Sequence, residues 1–451
     1  MAVGAAVLAA VAAATPWDSL VSTSSPEPPA LVRPNIVVVL TDDQSLESVA
    51  RMPHVFARSD WVAFDNAFVN VALCCPSRAS VLTGQYSHHT RVERNTDGMR
   101  LDDGHTVATW LRDGGYRTAL LGKYLNQYPW GRAGYLPPGW DEWHVFEDVG
   151  YFDYSLNQNG RTVRRGSSAR DYSTDVLARK AVKFISRQQG PFFLVVAPNA
   201  PHGPRTAPPR HRGIFADARL ERPGSFNEAD VSDKPAWVRA LPPRDAGPTE
   251  NLRRKQYRSL LAVDDLVRDV FSALDDRRLL DTTVVMFLSD NGYSFGEHRH
   301  VGKICPYEEC LRIPLLVRYP GRDGTRISDL VQNVDVAATI AELAGVRPTI
   351  AQDGLSLLPL LRGRSPSWRS AVLLRWAGYA GSPPDPDTGP DIPGFWGIRT
   401  ARYKYIELDT GETELYDLHA DPGELANRSR EPSSRRLIAD LGRQLASLRQ
   451  G

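Results

Sequence analysis

Four short runs along the chain are apolar without interruption, and each gives way at once to a polar cluster. Asn35–Leu40 (NIVVVL) leads to Thr41, Asp42 and Asp43, and Thr118–Leu121 leads to Gly122 and Lys123. Pro191–Ala197 (PFFLVVA) leads to Pro198–His202, and Thr283–Leu288 (TVVMFL) leads to Ser289, Asp290, Asn291 and Gly292. A half-exposed strand alternates apolar and polar residues, because successive side chains point to opposite faces. An unbroken apolar run instead suits a strand buried on both faces, as in a parallel sheet. Between the runs, Leu260, Val263, Val267, Val270 and Leu274 recur at steps of three and four, which places one apolar stripe on a helix. Thr106–Asp113 gives a shorter helix ahead of the Lys123 strand. Strands alternating with helices predict an α/β fold, a large, mostly parallel mixed sheet sandwiched by helices.

The last part of the chain follows a different pattern. Gly378–Gly397 is rich in Gly and Pro and reads as an irregular loop. Tyr403–Leu408 and Thr413–Asp417 flank Asp409-Thr410-Gly411, a hairpin signal. Leu437, Leu441, Leu445 and Leu448 mark a terminal amphipathic helix. Residues 366–451 therefore read as a small α+β subdomain, an antiparallel sheet plus a terminal helix, packed on a larger unit of residues 35–365. At the other end, Met1–Ala14 is uncharged, mostly Ala and Val, and closes on Ala12, Ala13 and Ala14. It is too short to span a bilayer and reads as a secretory signal, although no Lys or Arg precedes the apolar stretch. Thr15–Pro34 reads as a Ser/Pro linker, so a secreted or periplasmic protein is expected, with no membrane span in its mature form.

Composition narrows the field. A net charge of +1 gives no overall basic field that would point to nucleic acid or an anionic membrane. Local basic clusters at Arg161–Arg170 and Arg205–Arg212 read either as solvated loops or as a device that steers an anionic substrate. The four cysteines, Cys74, Cys75, Cys305 and Cys310, lack the paired C-x-x-C spacing of a zinc site. Cys305 and Cys310 allow a small local disulfide or two free buried thiols.

Ligands of open α/β sheets collect beyond the carboxyl ends of the strands. Here four such ends carry Asp42 with Asp43, Lys123, His202, and Asp290 with Asn291, which reads as one site. The most specific segment is Cys74-Cys75-Pro76-Ser77-Arg78-Ala79-Ser80-Val81-Leu82-Thr83-Gly84. Pro76 suits the first turn of a helix, which places Cys74 near unpaired N–H groups and the positive end of the helix dipole, a natural anion site. Taken singly, each of these residues has a plainer role. The two cysteines suit a small core, the acids suit caps and turns, and lysines are usually solvated.

The C-x-P-S-R string followed by L-T-G resembles the signature of the sulfatase family, in which the first Cys is oxidised to formylglycine. The resemblance runs from the strand at Asn35 to Tyr403-Lys404-Tyr405 and Glu414-Leu415-Tyr416-Asp417-Leu418. It implies that Cys74 becomes formylglycine through a formylglycine-generating enzyme. It also implies that Asp42, Asp43, Asp290 and Asn291, with the modified Cys74, hold one divalent cation. Oxygen donors favour Ca²⁺, with Mg²⁺ as the second choice. Arg78, Lys123 and Lys303 match the family's sulfate-holding cations, and His202 the proton donor to the leaving oxygen. In the implied reaction one hydroxyl of the hydrated aldehyde attacks sulfur, and deprotonation of the other expels sulfate. One position departs from the pattern: Leu125 stands where many members carry the His of K-x-H, which leaves the base for expulsion open. The Gly122–Asn126 string, the Cys pair and Val231-Ser232-Asp233-Lys234-Pro235 resemble the glucosamine-6-sulfatase branch, which implies a sulfated amino sugar, with an aryl sulfate as the other substrate expected of the family. Trp376, Phe395 and Trp396 read either as a sugar-stacking surface or as core. Two other functions stay open, a phosphodiester or phosphonate monoester hydrolase of the same superfamily and an inactive glycan-binding relative.

Overall fold

The computed structural model describes residues 31–364, 367–379 and 389–450. The expected signal segment and nearly all of the expected linker lie outside these residues, as does the middle of the Gly/Pro-rich stretch. Among the described residues sixteen strands are formed: β1 (Asn35–Thr41), β2 (Val62–Phe68), β3 (Arg117–Gly122), β4 (Glu142–Asp148), β5 (Ser155–Gln158), β6 (Arg161–Arg164), β7 (Phe192–Ala197) and β8 (Thr283–Ser289). They continue with β9 (Ser294–Phe295), β10 (Val301–Gly302), β11 (Leu315–Arg318), β12 (Thr325–Gln332), β13 (Ala371–Trp376), β14 (Phe395–Thr400), β15 (Tyr403–Leu408) and β16 (Thr413–Asp417).

Ten of these make one sheet in the order β12-β2-β11-β8-β1-β7-β3-β4-β5-β6. The four apolar runs are its contiguous centre, β8-β1-β7-β3, all parallel. Their lack of alternation has a direct cause. Ile36, Val38 and Leu40 of β1 pack on one face of the sheet, with residues of the helices Val107–Asp113 and Asp335–Ala344. Val37 and Val39 pack on the other face, with the helices Ser173–Ser186 and Ala246–Asp276. Each such side chain removed from water contributes about 1.5–3 kcal/mol. Antiparallel strands lie only toward the margins: β11 against β8 and β2, and β5 and β6 beyond β4.

The second sheet, β13-β14-β15-β16, is antiparallel throughout. The expected hairpin is β15 and β16. The expected loop over Gly378–Gly397 is corrected at its end, because Phe395 already opens β14 and pairs with Trp376 and Leu408. The helix Arg435–Leu448 closes this sheet with Leu441 and Leu445 buried.

Candidate active site

Backbone hydrogen bonds stitch the four central strand ends together. Asp290 N–H donates to Thr41 C=O (3.0 Å), Asp42 N–H to Ala200 C=O (3.3 Å), and Lys123 N–H to Ala197 C=O (2.7 Å). Asp42, Asp43, Asp290 and Asn291 are all fully buried there. Asp43 takes a left-handed backbone (φ 64°), which turns the chain beyond β1. Asp43 N–H donates to Asp290 Oδ1 at 3.1 Å, and Asn291 Nδ2 donates to Asp43 Oδ1 at 2.8 Å. The donors from two distant stretches of chain thus meet.

Three cations face these three acids. Lys123 Nζ lies 2.5 Å from Asp42 Oδ2, and Lys303 Nζ lies 3.2 Å from Asp43. Arg78 Nε donates to Asp290 Oδ2 at 2.8 Å, its Nη1 donates to Lys123 C=O at 2.9 Å, and its Nη2 stands 3.6 Å from Asp42. His202 Nε2 is 3.7 Å from Asp43 Oδ2, and its side chain is the most open of the group. Burial alone would raise the pKa of Asp42, but the adjacent Lys123, with His202 and Arg78, drives it far below the usual carboxylate range. Burial and the neighbouring Asp42 instead push Asp290 up to about 7 despite Arg78. Lys303 is held charged against its own burial by Asp43. Burial and Lys303 hold His202 below its ordinary value.

Cys74 is the first residue of the helix Cys74–Thr83, whose ten residues are all buried. Its Sγ lies 3.4 Å from Asp42 Oδ1, 3.8 Å from Asp43 Oδ1 and 3.1 Å from Lys303 Nζ. Pro76 falls third in the helix, within its first turn as expected, where its missing N–H coincides with one of the four donors a helix start leaves unpaired. At the far end Gly84 caps the helix at φ 72°, and a Cβ there would fall 2.0 Å from Gln352 Oε1. The Gly of L-T-G is therefore needed for its conformation, while the contact could be relieved by movement of the Gln352 side chain. Burial, with Asp42, raises the Cys74 thiol well above its ordinary pKa, so as a thiol it stays protonated.

The site suits a hard cation by its chemistry. Ligand atoms of Asp42, Asp43, Cys74 and His202 lie within 4.8 Å of one another. Asn291 Oδ1 is buried with no hydrogen-bond partner. An orphaned amide oxygen beside three carboxylates is costly in itself and would be satisfied by a cation among them.

Other expectations resolve differently. Leu125 is 3% exposed and packs in the main core, so no side chain at that position serves as a base. Trp376 and Phe395 are buried, and Trp376 Nε1 donates to Ile392 C=O, which makes both core residues. Trp396 is only partly buried, with the guanidinium groups of Arg375 and Arg449 over its ring. Cys305 and Cys310 form a disulfide, while Cys74 and Cys75 are free. The Arg161–Arg170 cluster is mostly exposed, whereas Arg205 at the head of the other cluster is buried. Sequence reasoning missed Asn95, whose Oδ1 accepts the Cys75 N–H at 3.1 Å, and Tyr151, whose hydroxyl donates to His202 C=O at 2.7 Å. Neither carries a motif, because each acts by closing a loop onto the site.

A helix-terminal side chain set against buried acids and matched cations suits the holding and cleavage of an anionic ester. Comparison with known proteins makes the class specific. A family model described as Sulfatase matches residues 34–346, and one described as N-sulphoglucosamine sulphohydrolase, C-terminal, matches residues 296–451. The chain is 34% identical over 445 residues to N-acetylglucosamine-6-sulfatase of Homo sapiens, covering 88% of this chain and 81% of the human protein. A solved structure of a protein in complex with its substrate D-glucosamine-2-N,6-O-disulfate superposes with a TM-score of 0.79 at 25% identity, over 93% of this chain and 98% of that one. The phosphonate monoester hydrolase of Agrobacterium radiobacter shares the fold, with a TM-score of 0.74 at 22% identity over 93% and 96% of the two chains. The chain belongs to the sulfatase family and is a sulfuric ester hydrolase. Among the described residues no helix is long and apolar enough to cross a membrane.

Proposed function

We propose that this chain hydrolyses a sulfate ester on a sulfated amino sugar, using formylglycine made from Cys74 and one divalent cation. The observation that carries this reading is the placement of Cys74, at a helix start with its Sγ between Asp42 and Lys303. Asp42, Asp43, Asp290, Asn291 and the modified side chain at position 74 would hold the cation, with Ca²⁺ favoured by the all-oxygen set. When bound, the cation supplies charge that polarises ester oxygens, and hydrated formylglycine supplies a geminal diol where the thiol stands.

The chain's own residues do the rest. Arg78, Lys123 and Lys303 hold sulfate oxygens, and the unpaired N–H groups at the start of the Cys74 helix add to that field. His202, partly exposed and steadied through the Tyr151 hydroxyl on its carbonyl, gives a proton to the leaving sugar oxygen. The amino-sugar assignment draws support from the human relative, whose name states N-acetylglucosamine 6-sulfate chemistry. Export is supported by the Ala-rich amino-terminal segment and by the Cys305–Cys310 disulfide.

Peptide mass spectrometry across Cys74 in protein from its native host tests the modification. Formylglycine is expected, and recovery of the thiol alone would favour a non-catalytic glycan binder. Turnover of p-nitrophenyl sulfate against phosphate mono- and diester analogues tests the substrate class. A clear preference for the diester would overturn the sulfatase assignment.

A further inference from the structure

Seven Lys and Arg side chains are buried among the described residues: Arg78, Lys123, Arg205, Lys234, Lys303, Arg399 and Lys404. Six of them lie within ion-pair distance of a carboxylate. Arg205 is the exception. Its side chain is 4% exposed, its Nε is buried with no hydrogen-bond partner, and no described acid pairs with it. A guanidinium is not taken out of water without a counter-charge unless one arrives from elsewhere.

Its position says where that charge would come from. Arg205 follows His202 by three residues, and its N–H donates to the His202 carbonyl at 3.1 Å. Its guanidinium lies 4.4 Å from the centre of the Tyr293 ring and 6.0 Å from that of Phe295, and Tyr293 is two residues beyond Asn291. The group is therefore braced between the strand end that carries His202 and the one that carries Asp290 and Asn291. Aromatic faces steady a guanidinium by cation–π attraction and leave its edge N–H groups free to donate. The backbone at Arg205 is left-handed (φ 60°), a conformation rare for a residue with a side chain.

We infer that Arg205 forms a second anion subsite beside the reacting sulfate, which binds another anionic group of the same substrate. That group is a second sulfate on the same sugar or the carboxylate of a neighbouring uronic acid. The inference rests on the sulfatase reading and adds to it the substrate's charge pattern.

Steady-state kinetics on three esters test it. They are N-acetylglucosamine 6-sulfate, glucosamine-2-N,6-O-disulfate, and a disaccharide that joins glucosamine 6-sulfate to a uronic acid. In Arg205→Gln the ratio of kcat/KM for a doubly charged ester to that for the singly charged one is expected to fall roughly 10- to 100-fold, mainly through KM, as for loss of a charge-assisted contact. Whether the disulfate or the uronide falls identifies the source of the second charge. Arg205→Lys keeps the charge but not the planar fork, so an intermediate fall in the same ratio is expected, and this variant decides the matter if the Gln form does not fold. Ratios indifferent to residue 205 would overturn this inference alone. A wild type that cleaves none of the three would overturn the amino-sugar reading beneath it.

Discussion

Asn291 Oδ1 lies buried with no donor, and a buried acceptor in that state costs about 1–3 kcal/mol. If a cation is what it awaits, adding Ca²⁺ stabilises the fold by mass action, about 2.7 kcal/mol at a hundredfold excess over Kd. The thermal midpoint is expected to rise with Ca²⁺ and to fall back with chelator. Asn291→Leu removes the orphan acceptor and also the Nδ2 hydrogen bond to Asp43, so its own cation-free midpoint is expected to fall, and measured from that midpoint most of the Ca²⁺-dependent rise should be lost. A wild-type midpoint indifferent to Ca²⁺ and Mg²⁺ would mean that the acids hold no such ion. Arg78 poses a different test. Its planar fork reaches Asp290, the Lys123 carbonyl and the edge of Asp42 at once, which a single ammonium cannot do. Arg78→Lys is expected to lower kcat/KM for p-nitrophenyl sulfate by roughly 100-fold or more. Near-normal turnover would show that the fork is not needed.

What a sequence reveals at the level of elements depends on whether burial is two-sided. β8, β1, β7 and β3 were legible because both faces are covered and no polar residue interrupts them. β2 (VAFDNAF) and β12 (TRISDLVQ) were not, since half-buried and exposed polar positions break their pattern. The site was legible where it sits on strand ends or in the C-x-P-S-R string. Asn95 and Tyr151 were not, because loops bring them in, and Arg205 was legible only as the head of a basic cluster open to two readings. The hairpin strand β16 carries its own test in Glu414. It is fully buried, takes hydrogen bonds from the Tyr307 and Tyr416 hydroxyls, and is pushed by burial from 4.5 up to about 7. A carboxyl with a raised folded pKa binds more protons folded than unfolded. Its contribution is therefore fully present below about pH 4.5 and is lost as pH rises toward 7, on the order of 3 kcal/mol. Glu414→Gln should flatten that part of the decline in urea stability between about pH 4.5 and 7. A wild-type and variant decline of equal slope would place the titration elsewhere.

Across the whole molecule, the small sheet meets the Cys305–Cys310 loop of the larger unit through buried charge. Lys404 of β15 is fully buried, with its Nζ 2.7 Å from Glu424, 2.9 Å from Glu308 and 3.1 Å from the Pro306 carbonyl. Pro306 and Glu308 lie inside the loop closed by Cys305 and Cys310, just beyond Lys303. The antiparallel sheet therefore braces the segment that delivers one of the site's three cations. Removing one partner of a buried ion pair leaves the other uncompensated, at a cost of about 3–5 kcal/mol, whereas removing both is far milder. Lys404→Met is thus expected to lower stability by about that amount and to reduce turnover, although position 404 is outside the site. Adding Glu424→Gln should recover part of the loss. Because these charges tie the small sheet to the loop that follows Lys303, unfolding should remain one transition, with fluorescence and far-UV signals coincident. Two separated transitions, with activity lost only in the second, would show that the small sheet does not support the Lys303 segment.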